Sequence, residues 1–525
     1  MRMSELVGTR FKERPAEAAL DAHAFLLRGG YARDLGHGEW ALLPAGQRVM
    51  EHLETIARAT LSMVGVQPVR LPCPPEAPAE HRWRMATQLC AGETRSYTQL
   101  PLALSHACDV FRAGSSIRGG LLQSRLFRIL EAYAFTLDAH DESLRKAALR
   151  SLVDCGLEDA VCAQDGTGAE VFFVPCAGGD LTVLQCPACG CAATQDWAHT
   201  KSAEFRESPL PLERVHTPGT KSIADLAAFL GIEARQTAKA VLCESGQEGR
   251  LLLALVRGDL DVSESKLSAL AGGPLLPASE ASIRAAGAEP GFASVLGLDR
   301  SRLQIVVDPS IRAASNLVTG ANEADFHIRN FNLDRDAPDL EIADIALAVP
   351  GASCGCGRGI LEALTGYEVG RLLALPENSV ADWTVDGPDN LPRTPMLRIL
   401  RMGLGRMMAV IMERHHDTYG PIWPTPIAPW GVQVLALSGA GVKEAAEGLY
   451  AALSGAGFDV LIDDRGLRPG AQFAEADLLG VPWRVIVGEK TLAQGHVELK
   501  RRAARDSELI PCGDLVSVLR GRCFP

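Results

Sequence analysis

No apolar run in this 525-residue sequence approaches the ~18–20 residues that a membrane-spanning helix needs, which excludes a helical membrane protein. Nor is there an excess of basic charge. Lys and Arg total 52 against 64 Asp and Glu, a net charge of −12, which argues against a protein that coats nucleic acid over its whole surface. Local basic patches remain compatible with RNA recognition, because the phosphate field reaches only about a Debye length, ~8–10 Å. Internal repeats and low-complexity tracts are absent. The opening residues, Met1-Arg2-Met3-Ser4-Glu5, run into a charged segment without a signal-peptide apolar core, so the expectation is a cytoplasmic protein. Apolar residues make up 47% and charged residues 22%, values of a soluble globular chain rather than a disordered or fibrous one. Fourteen cysteines in that setting are read as reduced thiols, some available as metal ligands. The length predicts about three or four domains.

Hydrophobic spacing divides the chain. Val49, Met50, Leu53, Ile56, Ala57 and Leu61 predict an amphipathic helix with Glu51, Glu54 and Arg58 on its wet side. Val66 to Pro72 reads as extended, and a further helix opens near Ser143. Pro209, Pro211 and Pro218-Gly219 read as a linker. After it, Ile223, Leu226, Ala227 and Leu230 predict a helix, while Ala240–Leu242 and Leu251–Val256 predict buried strands. From Gly431 the pattern alternates strand, helix, strand, helix, strand, which predicts a small mixed or parallel sheet flanked by helices.

Phe111-Arg112, Gln123-Ser124-Arg125-Leu126-Phe127 and Glu131-Ala132-Tyr133-Ala134-Phe135 resemble motif 2 of class II aminoacyl-tRNA synthetases, in the pattern of the bacterial-type prolyl-tRNA synthetases. Leu27-Arg28-Gly29-Gly30-Tyr31, Leu43-Pro44-Ala45-Gly46, Arg95-Ser96-Tyr97 and Gln99-Leu100-Pro101 agree with the same family, and Pro72 falls where motif 1 has its proline. Gly366-Tyr367-Glu368-Val369-Gly370 is similar to a further family segment, with Arg371 in place of histidine. Gly403, Arg406 and Ile422-Trp423-Pro424 sit in the motif 3 region. Leu461 to Arg465, Arg468-Pro469-Gly470, Phe473 and Asp477 to Pro482 resemble the anticodon-binding domain.

The resemblance implies an α+β class II catalytic domain with an antiparallel sheet, an inserted α/β editing domain and a C-terminal α/β anticodon-binding domain. The expected boundaries are 1–212 and 347–428 for the two parts of the catalytic domain, 213–346 for the insertion and 429–525 for the last domain. It implies ATP and Mg²⁺ as cofactors, tRNA(Pro) and proline or another small amino acid as partners, and a homodimer with Pro72 at the interface. Arg112 and Arg406 would clamp ATP, with Gln123 and Gly403 beside it. In the insertion, Lys239 and His327 would place alanine wrongly attached to tRNA(Pro), with Asp308 and Thr237 completing the pocket and Gly320-Ala321-Asn322 nearby. Editing exists because a methylene or two separates amino acids by only ~1–3 kcal/mol in an apolar pocket. Gly291 matches the insertion's glycine loop, but Val295 replaces its proline.

The departures concentrate at the synthetic site. Ala113 and Gly114 replace acidic residues, Gln123 replaces arginine, Leu126 replaces glutamate, and Arg401 replaces a glycine. The loop that grips the amino acid reads Glu80-His81-Arg82-Trp83-Arg84 in a shortened segment, and Gly166 to Phe172 is a reduced form of another. Proline activation is therefore expected to be degenerate, while the tRNA-facing parts persist. The alternatives are an editing-only deacylase on a dead scaffold, a ligase for another amino acid or acceptor, and a non-catalytic tRNA-binding protein. Cys186-Pro187-Ala188-Cys189 and Cys354-Gly355-Cys356 flank the insertion; they are compatible with a Cys₄ zinc site or with four unliganded thiols. Lys500-Arg501-Arg502 with Arg505 is the densest basic cluster, readable as a phosphate contact or as a solvated face.

Overall fold

The computed structural model describes residues 1–112, 119–245, 251–300, 303–380 and 382–523. Ala113 and Gly114 lie outside them. The chain forms two compact units, one of Met1–Val161, Phe172–Gly179 and Tyr367–Pro525, the other of Cys162–Val171 and Asp180–Gly366.

In the first unit a β-sheet runs in the order Gln67–Pro68, Leu102–Phe111, Leu126–Thr136, Met396–Gly403 and residues 367–374. Its neighbours are antiparallel except for the short first strand. Tyr133 and Phe135 are buried in its core, as β-propensity and the loss of water from their rings favour. The expected amphipathic helix spans Pro44–Met63, opened by proline at its first turn, and buries Val49, Met50, Leu53, Ala57 and Leu61. A helix at Ala79–Glu93 takes in Glu80 to Arg84, which the resemblance reads as a loop, because the stretch buries Arg82, Ala86 and Cys90 at four-residue intervals. The C-terminal part is a mixed five-stranded sheet, with Val460–Asp463, Val432–Ala436 and Trp483–Val487 parallel and two antiparallel strands added at one edge. Val434, Val485, Leu453 and Val497 form its core.

Besides the antiparallel strands Leu181–Gln185, Ala192–Thr194 and residues 362–366, the described residues of the second unit form two further sheets. One, of five strands, has the order Leu275–Pro277, Ala238–Ser245, Leu251–Arg257, Leu303–Val307, Glu341–Ile342. The other pairs Glu213–His216, Phe326–Phe331 and Leu317–Gly320 antiparallel. Glu213–His216 corrects the linker reading. The flanking prolines bracket these four residues, whose own N–H groups are free to pair with Arg329 to Phe326.

Candidate functional site

A cavity of about 150 Å³ opens in the first unit at the end of the strand Met396–Gly403, where the helix Leu404–Arg414 begins. Gly403 caps that helix and lines the cavity with Arg406 from its first turn, a position where free backbone N–H groups and the helix dipole favour phosphate. Arg112 lines the same cavity, its guanidinium 5.1 Å from the centre of the Phe127 ring. Arg406 also donates to the carbonyls of Leu122 at 3.1 Å and Glu368 at 2.9 Å, so it ties the 3₁₀ turn Gly120–Gln123 to the strand that carries Glu368. Gln123 ends a 3₁₀ turn and is not among the lining residues.

Two further guanidiniums, Arg371 and Arg401, line this cavity, and each is held by a carboxylate. Arg371 binds Glu368 in bidentate fashion at 3.0 and 2.9 Å. Arg401 binds Glu131 at 2.8 and 2.7 Å. Glu131 is itself buried and receives Arg82 at 2.6 and 3.1 Å and the Tyr133 hydroxyl at 2.7 Å. Burial pushes this carboxyl up, but Arg82, Arg401 and Tyr133 together outweigh it and hold its pKa below the usual value. Among the described lining residues Glu368 is the one carboxylate, set against four arginines.

In the second unit, Thr237, Lys239 and Asp308 share one end of the five-stranded sheet, since Lys239 pairs with Val256 and Val307 pairs with Leu255. Lys239 is one-third exposed and ion-paired to Asp261. Asp308 is buried, and its carboxylate accepts the N–H groups of Ser310, Ile345 and Ala346 at 2.8–3.1 Å. Thr237 is buried too, its hydroxyl donating to Ala234 O at 2.8 Å. Both therefore frame this end of the sheet. His327 lies in the three-stranded sheet, which Thr237 reaches through a bridge to Val318. Its Nδ1 is 2.6 Å from Thr217 Oγ1, and burial lowers the imidazole to about 4, leaving it neutral at physiological pH. Gly320 and Asn322 hold the glycine loop. A Cβ on Gly320 would stand 2.1 Å from Phe292 O, and the Asn322 side chain accepts from Ser294 N–H and donates to Leu296 O, each at 2.8 Å.

Residues 217–337 match the family model of an aminoacyl-tRNA editing domain, and residues 431–522 match that of an anticodon binding domain. A proline–tRNA ligase of Geobacter sp. strain M21 is 34% identical over 569 aligned positions, covering 99% of this chain and 98% of that protein. One of Dehalococcoides mccartyi strain 195 is 34% identical, covering 97% of each. This chain belongs to the proline–tRNA ligase family. A solved prolyl-tRNA synthetase of Cryptosporidium parvum, complexed with halofuginone and AMPPNP, shares the fold at a TM-score of 0.51 and 11% identity, over 96% of this chain and 76% of that one.

Within that family fold, the four flanking cysteines converge. Cys186 Sγ lies 3.9 Å from Cys356 Sγ, Cys189 Sγ lies 3.8 Å from Cys354 Sγ, and all four sulfurs fall within 4.8 Å of one another. Four thiolates placed tetrahedrally at ~2.3 Å from zinc stand about 3.8 Å apart, so the donor set fits that ion. The Arg358 N–H donates to Cys356 Sγ at 3.4 Å, and that contact leads the causes that lower the thiol's pKa. Gly359 is glycine because a Cβ there would approach Cys186 Sγ to 2.9 Å. Buried Lys266 donates to Ala198 O, Ala346 O and Asp344 at 2.8–2.9 Å, fixing the segments that lead from and to the two pairs. Cys191 is exposed and outside the cluster. Arg502, by contrast, is buried on Asp417 at 2.7 and 2.8 Å, which removes it from any phosphate-contacting patch.

Proposed function

We propose that this chain acts on tRNA(Pro), hydrolysing alanine wrongly attached to it, and that its own activation of proline is strongly attenuated. The family reaction joins proline to tRNA(Pro) through ATP, with Mg²⁺ offsetting phosphate charge. Arg112, Arg406 and the helix end at Gly403 would receive the phosphates.

The observation that carries the reading is the state of the carboxylates. An amino acid enters as a zwitterion, and its ammonium group, once taken from water, needs an anionic partner. Glu368 is committed to Arg371, and Glu131 is saturated by two guanidiniums and a phenol. The cleft therefore favours a polyphosphate far more than an ammonium group.

The remaining assignments follow the same reading. The boundaries 1–212, 213–346, 347–428 and 429–525 delimit the domains. The Cys₄ cluster holds a structural zinc, two copies pair across Pro72, and the protein works in the cytoplasm; in line with that, no described helix is long and apolar enough to cross a membrane.

In the editing domain Lys239 and His327 meet the aminoacylated end of the RNA, while Asp308 and Thr237 hold the frame around them. The test is hydrolysis of alanyl-tRNA(Pro) by the full chain. Lys239→Ala is expected to lower kcat/KM roughly 10- to 100-fold, the scale of a lost charged hydrogen bond. Absence of hydrolysis, or hydrolysis indifferent to Lys239, would defeat the editing assignment.

A further inference from the structure

Phe205 is an exposed aromatic ring with 37% of its surface open. Its backbone is fixed in both directions: its N–H donates to Ala313 O at 2.8 Å and its carbonyl accepts from Ser315 N–H at 3.0 Å. Two guanidiniums lie over the ring, Arg235 with its central carbon 4.5 Å from the centroid and Arg257 at 5.3 Å. Arg235 is 42% exposed and leans on Glu233. Arg257 is buried, its Nε and one terminal nitrogen held by Asp259, while Nη1 has no hydrogen-bond partner among the described residues. An exposed ring stacked with guanidinium offers what an unpaired nucleotide requires, a flat polarisable face and N–H donors beside it for phosphate or a base edge.

The place of this stack selects the ligand. Arg235 lies two residues before Thr237, Arg257 pairs with Ala238 in the ladder, and the carbonyl that fixes Phe205 follows the helix Pro309–Arg312 capped by Asp308. The stack therefore stands at the sheet end that carries Lys239. We propose that Arg235, Phe205 and Arg257 form a stacking platform for a nucleotide of the single-stranded 3′ end of the tRNA as it enters the editing domain. The proposal rests on the editing reading for the identity of the RNA and for nothing else.

The experiment is equilibrium binding of the full chain to intact tRNA(Pro) and to the same tRNA trimmed of its three terminal nucleotides, at several salt concentrations. Phe205→Ala is expected to weaken binding of intact tRNA by about tenfold, within the ~1–3 kcal/mol of one base–aromatic stack, and to leave the trimmed tRNA unaffected. Phe205→Tyr, which keeps the ring, is expected to bind as the unaltered chain does. Arg235→Gln is expected to reduce the slope of log K against log salt by about 0.7 on intact tRNA, one phosphate contact of a single strand. Equal losses on both tRNAs, or no loss on either, would overturn the platform. Failure of the editing reading appears separately, as absence of alanine release by the unaltered chain while the difference between the two tRNAs persists.

Discussion

Replacing Glu131 with alanine is expected to destabilise the first unit by about 3–5 kcal/mol, the cost of stranding buried charge when one partner of an ion pair is removed. Arg82 is 3% exposed and would keep Ala77 O, at 2.9 Å, as its acceptor among the hydrogen bonds described. Tyr133 would lose the acceptor for its buried hydroxyl. The measurement is the urea midpoint followed by far-UV circular dichroism, with Glu142→Ala as the control. Glu142 is 45% exposed just before the helix Ser143–Asp154, and its loss should leave the midpoint where it was. Arg401→Gly should cost far less than Glu131→Ala, because Arg82 remains on the carboxylate. The pH dependence has a definite sign. Glu131 is held below its unfolded pKa, so its contribution is complete above the unfolded value, near 4.5, and is lost as pH falls through the lower folded value. A Glu131→Ala midpoint matching that of the control would mean that the charge network does not bind this region together.

The second large effect concerns the thiol cluster. Protein purified under reducing conditions is expected to hold about one equivalent of zinc, and both Cys186→Ser and Cys354→Ser are expected to lose it. Cys191→Ser should retain it, since that thiol lies outside the cluster. Structural zinc contributes about 10–16 kcal/mol of binding in isolated finger peptides, so its removal should open the turns that carry the two pairs. Limited proteolysis after chelation is expected to cut near 186–191 and 354–359, segments that the metal-loaded protein protects. Less than about half an equivalent of zinc would contradict the assignment, as would equal proteolysis of loaded and stripped protein.

The elements that could be read from the sequence are those whose buried face repeats locally. The helix Pro44–Met63 and the alternation of strands and helices after Gly431 carry such a repeat, and each formed where its spacing placed it. The helix Ala79–Glu93 did not, because the face it buries includes Arg82, which periodicity scores as a wet position. Charge networks were beyond reach for a related reason. Glu131 lies 49 residues from Arg82 and 270 from Arg401, and only the folded sheet brings the three together. A single hint was present: a carboxylate inside the otherwise apolar run Ile129–Phe135 has to find a cation. Thr217 stood out in the sequence only as the neighbour of Pro218-Gly219, yet its hydroxyl meets His327 Nδ1. Of the basic cluster only Arg502 turns inward, since residues adjacent in sequence alternate faces in and just beyond the strand His496–Arg501, while Arg501 and Arg505 stay exposed.

The cleft retains grips for phosphate while its carboxylate Glu368, and the buried Glu131 that holds the lining Arg401, are occupied by the protein's own arginines. Proline-dependent exchange of pyrophosphate into ATP by the unaltered chain tests that claim most directly. Losing several charged contacts of about 1.5–3 kcal/mol each predicts exchange below roughly 0.01 per second, against turnover near 10 per second for a typical enzyme. Exchange at that ordinary rate would contradict it.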